Sequence, residues 1–234
     1  MSYNVQYHKI TQYQHHIFQW YTPAIHRFHH HDTSKLPILN LRAHTDGVAF
    51  NRMMVYLRTE LMWNVHQDME ALIVRFMNAY YKSAGPIIKE YFDYVRAEYE
   101  TMKIVGGHTF EGGYDGYIYG KLPYKNWKYE QLLIMEDYFD RAFAENEKIK
   151  ATNPEEYEKV AYRLRTESLF YRYVIIDRFS DYYPTSVVSD MIDEFEHDAA
   201  ACNLISVGRL VGQPQGGTAD RLDVIIPAWR SSKI

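Results

Sequence analysis

The stretch FNRMMVYLRTELMWNVHQDMEALIVRFMNAYY, residues 50–81, decides how the chain is read. Phe50, Met53, Met54, Leu57 and Leu61 fall at i, i+3, i+4, i+7 and i+11, the spacing that puts apolar side chains on one face of an α-helix. Met69, Leu72, Ile73, Phe76 and Tyr80 repeat it. Between the two stripes lies ELMWNVHQD, which holds Glu60, Trp63, His66 and Asp68. These could serve acid–base chemistry or form the corner between two packed helices. With Asn64 as a cap paired to Gln67, the chain turns between the four side chains, so no helical face gathers them. A glycosidase needs two carboxylates about 5 to 10 Å apart around its substrate, and nothing in this spacing sets such a distance. The expectation is therefore a corner with a buried tryptophan, a helix cap and solvated charges.

The same period continues outward from this stretch. Ile88, Tyr91, Phe92, Val95 and Tyr99, running on to Met102, predict a third helix, and Val188, Met191, Ile192, Phe195 and Ala199, running on to Cys202, predict another. Leu132, Met135, Phe139, Ala142 and Phe143 suggest one more, and Tyr157, Val160, Ala161, Leu164, Tyr171 and Ile175 a long one. A further helix is expected from about Ile10 to His30, bent near Pro23. Gly85-Pro86 suits a helix stop followed at once by a new start, and Asn153-Pro154-Glu155-Glu156 combines a cap, a first-turn proline and two carboxylates at the positive end of the helix dipole. Such short connections force neighbouring helices to pack antiparallel or steeply crossed. The predicted fold is mainly α: an antiparallel or orthogonal helical bundle over 46–204, preceded by a helical segment over 1–45 and followed by an irregular, extended tail over 205–234. In that tail RLDVII suggests a short strand or an extended arm.

Composition narrows the function. Hydrophobic residues make up 47% of the 234-residue chain, enough for a core without metal or disulfide support. A formal net charge of -4 lacks the basic footprint of a nucleic-acid binder, so no such partner is expected. The single cysteine, Cys202, sits at helical spacing from Phe195 and Ala199 and reads as a small buried hydrophobe. The N-terminus lacks the charged start and apolar run of a signal peptide, and no apolar run reaches the length of a membrane span; a soluble chain is expected.

Aromatic residues reach 16%, with 22 tyrosines, and several alternate with glycines in the stretch GGHTFEGGYDGYIYGKLPY, residues 106–124. That stretch reads as a long ordered loop or a small hairpin. Its His108, Tyr114, Tyr117, Tyr119 and Tyr124, with Trp127 following, could offer flat faces and hydroxyls to sugar rings, so an oligosaccharide is the candidate ligand. Packing of these rings on the bundle is the plainer alternative. For a metal, His26 and His30 share a helical face at i, i+4, and Glu194 with His197 forms the Glu-x-x-His that di-iron bundles use twice. The second copy is missing, and solvated polar positions are expected instead. No phosphate-cradling glycine motif, nucleophile elbow or catalytic triad is legible, and no cofactor is nominated.

Val55 to Val95 resembles the C-terminal part of large bacterial glycosidase-like proteins, a domain of unknown function related to α-glucuronidases. The marks that carry the resemblance are Tyr56, Leu57, Leu61, Met62, Trp63, Asp68, Phe76, Tyr80, Tyr81, Ile87 or Ile88, and Tyr91. YRLRTESLFYRYVIIDRF and FEHDAAACNLISVG are similar to that family's closing helices. Lys82-Ser83 stands where the family tends to place a glycine after the tyrosine pair, and KLPILNLRAHTDGVAF lacks its glycine-rich strand-end loop. The resemblance implies a carbohydrate-active protein with a catalytic barrel upstream, of which 1–45 would be the remnant of the end. Barrel active sites sit at strand ends, so the resemblance transfers no catalytic residue to this chain and implies no activity for it alone. It also implies packing on a barrel or self-association, and a family whose members are usually exported.

Overall fold

The computed structural model describes residues 50–64, 66–105, 127–204 and 221–234. Among them the periodic stripes become helices: α1 (Asn51–Trp63), α2 (Met69–Tyr81), α3 (Gly85–Val105), α4 (Tyr129–Glu147), α5 (Pro154–Phe179), α6 (Thr185–Ala201) and α7 (Leu222–Lys233), with single 3-10 turns at Lys82–Ala84 and Ser180–Tyr182. The described residues contain no strand, so the mainly-α bundle stands as read from the sequence. None of these helices is long and apolar enough to cross a membrane. The helix expected over Ile10 to His30 and the glycine-rich stretch at 106–124 lie outside the described residues.

Each helix packs on the next in chain order, and α2 also meets α5. The closure follows from α5, whose 26 residues make a rod of about 39 Å at the usual helical rise. Its Val160, Leu164, Tyr171, Val174 and Ile175 join Met53, Ile73, Met77, Ile88, Tyr91, Leu132 and Phe139 in the larger core. Its Leu169 and Ile176 point elsewhere, into a second core with Val188, Ile192, Phe195 and Cys202 of the α6 segment and Leu222, Ile226 and Trp229 of α7. A helix buried on two sides holds the two halves together. Phe139 marks the centre of the larger core, stacked on Tyr171 at 5.4 Å and edge-on to Tyr91 at 4.8 Å.

The termini show which local signals act. Asn153 accepts a hydrogen bond from the Glu156 amide at 3.2 Å, with Pro154 in the first turn of α5, as its sequence predicts. At the end of α6 the Leu204 amide bonds the Ala199 carbonyl at 2.8 Å while Asn203 takes φ 55°, the left-handed stop that asparagine tolerates. Part of the tail expected to be extended is instead α7. Leu222, Ile226 and Trp229 recur at i, i+4 and i+7, and burying that stripe on α6 outweighs the β-branched residues and the internal Pro227. Its far end is pinned: the Trp229 indole N–H donates to Asp177 at 3.0 Å, and Lys233 donates to the Asp177 carbonyl and the Ser180 hydroxyl.

Lys82, after the tyrosine pair, has φ 54° and ψ -126°, a conformation costly for any residue with a Cβ. Its ion pair with Glu156 spans 3.7 Å at a half-exposed position and contributes little. Lys82→Gly is therefore expected to stabilise the fold by about 0.5 to 1 kcal/mol, read from the urea midpoint. A lowered midpoint would show that the strain is absent.

Candidate functional site

The corner between α1 and α2 is built differently from its sequence reading. Asp68, not Asn64, caps α2, accepting from the Glu70 amide at 2.9 Å and the Ala71 amide at 3.3 Å. Asn64 closes α1 instead, in an extended conformation, and its side chain accepts from the His66 amide at 3.0 Å. Glu60 is held by Arg75 at 3.1 Å and by the Gln67 side-chain amide at 3.3 Å. Both carboxylates of the corner thus serve the turn.

Trp63 corrects the sequence reading most. Its expected burial does not occur: the side chain is 87% exposed. The buried stripe of α1 is Phe50, Met53 and Leu57, and at 3.6 residues per turn Trp63 lies roughly a third of a turn away from it. The indole therefore leaves the last turn of α1 toward solvent, with exposed Asn64 and His66 following in the chain. A flat apolar face beside amide and imidazole groups can stack a ring and hydrogen-bond its hydroxyls.

Of the aromatic residues singled out as sugar contacts, His108, Tyr114, Tyr117, Tyr119 and Tyr124 lie outside the described residues. Trp127 is core: it is 2% exposed and meets Phe170 edge-on at 6.1 Å, while its carbonyl accepts from Arg178 at 2.9 Å. As a glycan platform it is corrected, because burying the indole ahead of α4 leaves no open face. His26 and His30 also lie outside the described residues. Glu194 and His197 are both exposed; His197 lies 3.2 Å from Asp198, which Arg172 already holds at 2.6 Å. Among the described residues no three His, Cys, Asp or Glu side chains gather to hold a metal.

Sequence reasoning overlooked Glu167. This residue of α5 is 5% exposed. One carboxyl oxygen accepts from the Phe50 amide and the other from the Tyr81 hydroxyl, each at 2.7 Å. Burial pushes the carboxyl up to about 8, against the two hydrogen bonds, which favour the charged form. Burial thus favours the protonated acid near neutrality, a form whose O–H would donate to the Tyr81 oxygen in place of the bond it accepts. Burial and the neighbouring Glu167 hold the Tyr81 phenol well above its ordinary value. The signal was present in the sequence: Glu167 stands three residues after Leu164 and four before Tyr171, on a buried stripe. Cys202 is buried as expected, accepting from the Thr166 hydroxyl at 3.1 Å, and burial raises its thiol above the usual range.

No protein family, curated protein or solved structure matches this chain.

Proposed function

We propose that this chain is a non-catalytic helical module of a carbohydrate-active, α-glucuronidase-like protein, which lends an exposed aromatic corner to a glycan site beside a catalytic barrel. The observation that supports the reading is Trp63, 87% exposed at the end of a helix whose Met53 and Leu57 pack inward. An indole left open in this way forfeits burial worth about 2 to 3 kcal/mol, an arrangement natural to a surface that meets a ligand ring. Asn64, His66 and Gln67 supply donors and acceptors suited to sugar hydroxyls. The partial sequence resemblance supplies the carbohydrate context. The chemistry is recognition by stacking and hydrogen bonding, with no bond broken.

Calorimetric titration against uronate-containing and neutral oligosaccharides tests the reading, with indole fluorescence followed in parallel. Trp63→Ala is expected to abolish sugar binding while shifting the unfolding free energy by less than about 0.5 kcal/mol, because an exposed side chain contributes little to the fold. Absence of binding at millimolar sugar, or binding that survives Trp63→Ala, would sink it. Light scattering separates the remaining use of an exposed indole, since loss of self-association in Trp63→Ala would make the corner a protein contact.

A further inference from the structure

We propose that the cleft where the start of α1 and the end of α2 meet the first half of α5 binds a small organic oxyanion, a phosphate monoester or a carboxylate. This goes beyond the glycan reading and rests on other residues. The cleft has a volume of about 550 Å³ and is lined by Arg52 from α1, Tyr80 from α2, and Glu158, Lys159, Tyr162 and Arg163 from α5. That volume suits a metabolite-sized ligand. Lys159 and Arg163, both on α5, present cationic donors to the cleft and favour an anion.

Arg163 carries the argument. Its guanidinium lies over the Tyr80 ring, 4.1 Å from the centroid, and one N–H donates to the Tyr80 carbonyl. The ring is itself stacked on Phe76 at 4.9 Å, so the guanidinium rests on a fixed support. Among the described residues no carboxylate lies within ion-pair distance of Arg163, whereas Arg75, Arg96, Arg141, Arg172 and Arg230 each have one. The remaining donors of this half-buried guanidinium form a planar fork matched to carboxylate or phosphate oxygens. Lys159 stands one turn earlier on the same face of α5. Its pairing with Glu155 joins two exposed side chains, so it exchanges readily for a ligand. Glu167, one turn beyond Arg163, does not line the cleft; its carboxyl is turned to the Phe50 amide and the Tyr81 hydroxyl. Glu158 remains to accept from hydroxyls on the ligand's body.

Calorimetry and thermal shift at low salt, with a sugar phosphate, citrate, inorganic phosphate and the parent neutral sugar, test the site. In Trp63→Ala, which lacks the glycan corner, saturable binding of the sugar phosphate or of citrate is expected, with none of the neutral sugar. The better of the two identifies the anion, and inorganic phosphate alone shows whether the organic body adds affinity. Arg163→Gln is expected to weaken binding by about tenfold or more, the loss of a charge-assisted hydrogen-bonded contact. Arg141→Gln, on the exposed side of α4, should leave it unchanged. Arg163→Lys keeps the charge without the fork and should bind with intermediate affinity, and the unfolding midpoint of each variant confirms that it is folded. Lack of saturable binding to the wild-type chain, or equal affinity in folded Arg163→Gln, overturns the proposal. Trp63→Ala should leave oxyanion affinity intact, so this proposal and the glycan reading can fail separately.

Discussion

Between about pH 5 and pH 9 the wild-type fold loses about 3 to 4 kcal/mol of stability that Glu167→Gln does not lose. Burial holds the folded Glu167 carboxyl up at about 8, whereas in the unfolded chain it returns to 4.5. A folded value above the unfolded one means that the stabilisation is complete below the unfolded value and disappears as pH rises through the folded one. In that window the unfolded chain gives up its proton while the folded chain still keeps it. The glutamine side chain would mimic the protonated acid, its carbonyl accepting from the Phe50 amide and its amide group donating to the Tyr81 oxygen. Urea unfolding of both proteins across the range gives the difference directly. Buried Cys202 and Tyr81 also resist ionisation and add loss at the alkaline end; burial, the larger cause of each shift, persists in the variant, while the smaller part that Glu167 contributes does not. Parallel curves would mean that Glu167 is already ionised in the fold. Glu167→Ala removes the acceptor from two buried donors and leaves a void, and should cost about 3 to 4 kcal/mol near neutrality.

Gly85→Ala is expected to lower stability by about 2 to 3 kcal/mol, even though alanine is the better helix former. Gly85 has φ -53°, so its backbone conformation does not require glycine. Space does. A Cβ there would lie 2.6 Å from the Met77 carbonyl oxygen, 2.8 Å from its carbon and 2.9 Å from the Asn78 Cα. All three are backbone atoms of α2, so relief needs a shift of one helix against the other rather than a rotamer change. Such a shift would disturb Met77 and Ile88, both in the larger core. Equal urea midpoints for the two proteins would show that α3 can move off α2 without loss.

The helices were legible because each rests on a short-range signal. The stripes from Met69 to Tyr80 and from Val188 to Cys202 mark helices wherever they occur, and Asn153-Pro154 starts α5 without help from elsewhere. The cap of α2 was misplaced by four residues because Asn64 and Asp68 both suit that role; the winner is the one whose carboxylate meets the amides of the first turn. Helix α7 escaped notice because Pro227 and a β-branched run argue locally against it, while the Trp229 packing that favours it is tertiary. Trp63 was misread because a tryptophan at a corner is usually interior, yet its angle from the α1 stripe pointed the other way.

Sequence alone determined a helical bundle, the starts of α3 and α5, and the burial of Cys202, because the 3.6-residue repeat and the capping groups act within a turn or two. Only the tertiary structure brought Glu167 to Tyr81 and Phe50, which stand 86 and 117 residues earlier, and set Arg163 over the Tyr80 ring. Those meetings depend on the crossing angles and registers of α1, α2 and α5. Many side chains across the core set these jointly, and no short stretch of the chain encodes them.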